Sequence, residues 1–129
     1  YAIHNHGLEE KRYPSVERIY DQIKDLDPRV GICHDIGYSA QMGFDPAAVT
    51  LKYGHRIYEM HIKDMTSGSA EGTDCEVGRG IIDFPSLVKA LRKTKYSGVC
   101  SIELEKNNTD PLPGIAESAG YFKGVMKAT

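Results

Sequence analysis

Cysteine is scarce in this chain of 129 residues: Cys33, Cys75 and Cys100 are odd in number and form no CxxC pair. That pattern suggests neither a disulfide framework nor a zinc knuckle. It favours reduced thiols in a cytoplasmic setting, with a periplasmic one left open. No apolar run approaches the roughly 18 residues that a membrane span needs. Charge excess is missing too: a formal net charge of −2 gives the chain no overall pull toward nucleic acid or an anionic membrane. Low-complexity tracts and internal repeats, beyond an alternation of strand and helix, are also lacking.

What remains is globular. The hydrophobic fraction is 40% and the charged fraction 26%, and the length suits one domain over residues 1–129. Tyr1 already stands inside a strand-like stretch, so the chain reads as a piece of something longer.

Four strand–helix units follow one another. A short strand at residues 1–4 meets Gly7 as a breaker. From Ser15, a candidate cap, the stripe Val16, Ile19, Tyr20, Ile23 has helical spacing, and Asp27-Pro28 ends it. Residues 29–35 read as a buried strand. Asp45-Pro46 opens a second helix that runs to Tyr53, and residues 56–62 form the third strand. The glycine-bearing stretch 64–80 exceeds the usual connection length, which marks functional or mobile loops. Asp83-Phe84-Pro85 opens a third helix, residues 98–104 give the fourth strand, and residues 115–126 the last helix. Such alternation implies parallel strands covered by helices.

Each strand ends in ionisable groups: His4 and His6, His34 and Asp35, His61 with Lys63 and Asp64, Glu103 and Glu105. Functional groups at the C-terminal ends of successive parallel strands are the arrangement of a (β/α)₈ barrel, of which four units supply half. Mixed nitrogen and oxygen donors at one mouth suit Mn²⁺, Co²⁺ or Zn²⁺ better than Ca²⁺. His34 faces opposite to Asp35 and is expected to be structural. His55, after a helix-ending glycine, is expected at the surface. The run Lys89, Arg92, Lys93, Lys95 reads as a solvated helix face.

The stretches IHNHG (3–7), VGICHDIGYSAQMGFDP (30–46), RIYEMHIKDM (56–65) and GRGIIDFPSLVKALRKTKYSGVCSIELE (78–105) resemble, in order and spacing, the second half of the xylose isomerase-like TIM-barrel superfamily. That group includes sugar phosphate isomerases and epimerases, inosose dehydratase and an abasic-site endonuclease. The resemblance implies one divalent ion held from four strands, with Asp35, His61 and Glu103 at ligand positions and His4 where a Glu is usual. Mn²⁺ is the first expectation, with Zn²⁺, Co²⁺ or Mg²⁺ as alternatives. Glu103 is then left as the carboxylate that takes a proton from carbon, with Glu105 in reserve. Lys63 neutralises the substrate oxygen. His6, Tyr38, Asp64 and Arg79 are expected to contact substrate.

The implied activity is a metal-dependent sugar isomerase or epimerase acting through an enediolate. A dehydratase or lyase on keto-sugars or inososes, and an inactive half-barrel, are the alternatives. The expected partners are a small sugar-like molecule and either a missing N-terminal half-barrel or a second copy, with no nucleic acid and no membrane. An abasic-site nuclease would need a basic surface, which the charge balance does not supply.

Overall fold

Strands and helices alternate in the computed structural model, which describes residues 1–106 and 109–129. The elements are β1 (Ala2–His4), α1 (Val16–Ile23), β2 (Gly31–Asp35), α2 (Ile36–Gln41), α3 (Pro46–Tyr53), a 3₁₀ turn (Gly54–Arg56), β3 (Ile57–Ile62), β4 (Asp64–Met65), β5 (Asp74–Cys75), α4 (Phe84–Lys93), β6 (Val99–Ile102) and α5 (Leu112–Ala128). The strands β1, β2, β3 and β6 form one parallel sheet in that order, and β4 pairs with β5 antiparallel. This is the parallel α/β arrangement of a partial TIM barrel.

Local chemistry sets the helix starts. The Ser15 hydroxyl accepts from Arg18 N–H, and the Asp45 carboxylate accepts from Ala47 N–H just ahead of Pro46. Asp83 likewise accepts from Ser86 N–H at the start of α4. Each such cap contributes about 1 kcal/mol. Strand alternation then sorts the side chains. Ile32, Met60 and Ile62 face the helices and pack with Ile19, Ile23, Ile36, Phe84 and Leu87, all essentially without exposed surface. Each such side chain contributes roughly 1.5–3 kcal/mol on burial.

His34 lies on this helix-facing side. It is fully buried, bonded to the Ser39 hydroxyl at 2.9 Å, and burial pushes its imidazole down to about 3. It is structural, as expected, and His55 and the basic run on α4 are exposed. The opposite side of the sheet carries His4, Cys33, Asp35, Glu59, His61 and Ser101 in register.

Two features depart from the sequence reading. The helix α2 follows β2 without a breaker, because Asp35 ends the strand and caps the helix at once. The element is only six residues long and contains Gly37, a poor helix former, so periodicity alone did not mark it. The second departure is the stretch 64–80, which is organised rather than loose. Asp64, expected at the substrate, is fully buried, and its carboxylate accepts from the N–H groups of Met65, Gly78, Gly80 and Ile82. A carboxylate so occupied folds the loop and has no free oxygen for a ligand. A Cβ at Gly80 would come within 2.3 Å of Asp64 Oδ1, so glycine is required there.

Arg79 also departs from expectation. Its guanidinium forms a two-pronged pair with Glu117 on α5, at 2.6 and 2.8 Å, and pins the loop to that helix instead of reaching the mouth.

Asp64→Ala leaves several backbone donors without an acceptor, and is expected to lower unfolding free energy by roughly 3 kcal/mol. Urea denaturation checks this. A loss under about 0.5 kcal/mol, the range of ordinary surface changes, would show that water replaces the carboxylate.

Candidate metal centre

Four side chains from four parallel strands converge at the C-terminal end of the sheet. His4 comes from β1, Asp35 from β2, His61 from β3, and Glu103 follows β6. One donor atom from each lies within 4.8 Å of the others. His4 Nε2 is 3.5 Å and His61 Nδ1 4.0 Å from Asp35 Oδ2, while His61 Nδ1 and Glu103 Oε2 are in close contact. The register explains the gathering, since Asp35 stands level with His61 on the neighbouring strand.

The polar atoms at the centre are unsatisfied. His4 Nε2, Asp35 Oδ2 and His61 Nδ1 are buried and make no hydrogen bond of proper geometry, His61 Nδ1 being crowded against Glu103 Oε2. Buried polar atoms are almost always bonded, so three orphans aimed at one point require an explanation. A divalent cation supplies one: two imidazoles and two carboxylates fit the preference of borderline transition ions. These residues therefore fit a metal ion.

Asp35 plays two parts. Its Oδ1 accepts from Tyr38 N–H and caps α2, while Oδ2 faces the cluster. Its backbone is held by a residue that sequence reasoning passed over. Asn5 is fully buried, accepts from Asp35 N–H at 2.9 Å, and donates to the Asp35 carbonyl at 3.0 Å. The HNH triplet drew attention to its histidines; the asparagine between them faces the other way and fixes the ligand strand. Only the pairing of β1 with β2 reveals this.

Lys63 sits beside the cluster with 1% of its side chain exposed. Its ammonium donates to Glu103 Oε1 at 3.0 Å and Glu105 Oε2 at 2.7 Å, stands 3.7 Å from Asp35 Oδ2, and lies over the Tyr38 ring. A Cβ at Gly37 would meet the Lys63 stem at 2.5 Å, so α2 can approach only through glycine. Burial lowers the Lys63 pKa, but Asp35 and hydrogen bonds to Glu105 and Glu103 outweigh it and raise it overall. Burial raises the Glu103 carboxyl, yet the Lys63 hydrogen bond and charge hold it below its ordinary range.

His6 is exposed, stacks on Tyr38 with ring centres 5.0 Å apart, and stands edge-on to His4. It lines a cavity of about 330 Å³ with Tyr38, Gln41, Lys63, Asp74 and Glu105. The structure thus brings together His4, Asp35, His61, Glu103 and Lys63, with His6 and Tyr38 at the rim. It places Asp64 and Arg79 in the loop scaffold. Asp74, which the sequence reading did not single out, lines the same cavity and accepts from Glu105 N–H.

Comparison with known proteins gives a consistent picture. The family described as xylose isomerase-like TIM barrel matches residues 1–125. The rhizopine catabolism protein MocC of Rhizobium meliloti is 34% identical over 101 residues, covering 65% of this chain and 31% of its own length. An inosose dehydratase of Clostridium beijerinckii is 30% identical over 114 residues, covering 77% and 36% respectively. The chain therefore spans about a third of the length of these curated relatives. Among solved structures, a D-tagatose 3-epimerase-like protein superposes with a TM-score of 0.81 at 23% identity, over 98% of this chain and 46% of its own. The IOLI protein, solved with a binding zinc atom, gives 0.69 at 22%, over 87% and 43%. At these identities the structural likeness shows the fold alone.

Two outcomes follow from the geometry. In the metal-free protein, the Glu103 carboxyl is expected to titrate below an ordinary glutamate, and Lys63→Met to raise it, as read by carbon-13 NMR. A titration unchanged by Lys63→Met would remove Lys63 as the cause. Asn5→Ala, by loosening Asp35, is expected to weaken Co²⁺ binding by about 10–100-fold, measured by calorimetric titration; an unaltered affinity would count against that role.

Proposed function

Because the chain belongs to the xylose isomerase-like TIM-barrel family, we propose that it carries the ion-holding half of an enzyme that moves a proton on a small sugar or keto-polyol. The reaction class is isomerisation or epimerisation through an enediolate. The observation that supports this most directly is the convergence of His4, Asp35, His61 and Glu103 with their buried, unpartnered atoms. Held there, a divalent ion, Mn²⁺ in first place and Zn²⁺, Co²⁺ or Mg²⁺ after it, would polarise a carbonyl oxygen and make the adjacent C–H acidic.

The chain's own residues supply the rest. Glu103 takes the proton from carbon, and its hydrogen bond to Lys63 fixes the carboxylate and keeps it ionised. The Lys63 ammonium, already at the rim of the cavity, offsets negative charge on the substrate oxygen. His6 and Tyr38 present an aromatic wall with polar tips, suited to a polyhydroxylated carbon chain.

A second reading keeps the proton step and changes its outcome. If a hydroxyl leaves from the carbon beyond and takes up the proton that Glu103 removed, the products are an α,β-unsaturated ketone and water, with the Lys63 ammonium beside Glu103 offsetting charge on the departing oxygen. The relatives named inosose dehydratase favour this version. Partners and place complete the reading. Within the described residues β1 and β6 each pair on one side only, which supports closure by an N-terminal half-barrel or a second copy. The three free cysteines support a cytoplasmic setting.

The test is solvent exchange. Incubated in D₂O with Mn²⁺ and a keto-inositol or ketose, the protein is expected to introduce deuterium next to the carbonyl, and chelation to stop it. Proton NMR separates retained skeleton from loss of water. His61→Ala and Glu103→Gln should each lower the rate by about 10²–10⁴-fold. Undiminished exchange in both variants would remove this reading.

A further inference from the structure

A third kind of donor lies beneath the four-ligand cluster. Cys33 stands on β2 two residues before Asp35, so strand alternation turns both side chains to the same face. It is level with His4 on β1. Donor atoms of His4, Cys33 and His61 lie within 4.8 Å of one another, and the thiol is buried and free of any disulfide. Neither Cys75 nor Cys100 joins a group of this kind among the described residues; Cys100 packs instead against the hydrophobic core.

The two imidazoles are therefore common to two donor sets. One adds the oxygens of Asp35 and Glu103 at the mouth; the other adds a sulfur one rung deeper. We propose that His4, Cys33 and His61 form a second, softer cation site that takes thiophilic ions such as Cd²⁺ in exclusion of an ion on Asp35 and Glu103. Thiolate with imidazole selects soft and borderline ions, whereas carboxylates favour Mn²⁺ and Mg²⁺. As the metal–sulfur bond forms, the S–H bond breaks and its proton passes to solvent.

Two observations make the exchange feasible. His4 Nε2 has no hydrogen bond that would lock it onto a carboxylate, and His61 Nδ1 has only its contact with Glu103 Oε2 to give up. Asp35 and Glu103, if left by the ion, keep the Lys63 ammonium at 3.7 and 3.0 Å as a counter-charge. An ion held by sulfur would occupy the shared imidazoles and leave the mouth without its Lewis acid. The consequence is a site that soft metals inhibit by displacement inward.

This inference rests on His4 and His61 as metal donors and makes no use of catalysis. Metal-free protein is titrated with Cd²⁺ and followed by the ultraviolet sulfur-to-metal charge-transfer band. The expected result is a band that saturates at about one Cd²⁺ per chain and fades with excess Mn²⁺. It should persist in Glu103→Gln and vanish in Cys33→Ser, with a fall in Cd²⁺ affinity. The double variant Cys75→Ser, Cys100→Ser, which keeps Cys33 as the sole thiol, should retain the band and decides the matter even if Cys33→Ser does not fold. Bound Cd²⁺ without the band, or a band lost in the double variant, overturns the proposal. Undiminished deuterium exchange in His61→Ala and Glu103→Gln would remove the enzymatic reading and leave the band of the unaltered chain in place, so the two fail separately.

Discussion

A carboxylate with no exposed surface must be compensated, and Asp35 is compensated from several directions. One oxygen accepts the Tyr38 N–H in the first turn of α2, and the other faces two imidazole nitrogens and, at 3.7 Å, an ammonium. An isolated buried charge would cost several kcal/mol. The cost is tolerable only because four strands deliver counter-groups to the same level. Were the register between β2 and β3 to slip by one residue, His61 would turn toward the helices and the carboxylate would be stranded.

The second support is the loop that follows His61. Asp64 gathers four backbone donors, Gly80 lets the chain pass close to it, and Arg79 ties the loop to α5. This fixes the exit of β3 directly after Lys63, whose ammonium must stay between Glu103 and Glu105. Scaffold and chemistry are thus adjacent in sequence but separate in role. Lys63 faces the mouth and Asp64 faces the loop, as strand alternation requires.

Charge within the mouth is finely divided. Glu103 offers Oε2 to the cluster and Oε1 to Lys63, so one side chain joins the four-residue cluster to the buried ammonium. Under the proposed function that junction would serve isomerisation and dehydration equally, because both begin with removal of a proton next to a carbonyl. The curated relatives are about three times as long as the segments they share with this chain.

The sequence by itself determined the alternation of strand and helix, the capped starts of α1, α3 and α4, and the polar strand ends, among which the family resemblance picked out His4, Asp35, His61 and Glu103. These are legible because caps, periodicity and strand-end polar groups are local signals. It also carried the family resemblance that the match over residues 1–125 bears out. Helix α2 was hidden because its cap doubles as the end of a strand. Only the tertiary structure decided that Asn5 clamps Asp35, that Asp64 and Arg79 serve the loop, and that Cys33 lies under the shared imidazoles. Those assignments depend on which strands are neighbours and on which face each side chain emerges, and contacts between residues some 30 or more positions apart leave no local trace in the chain.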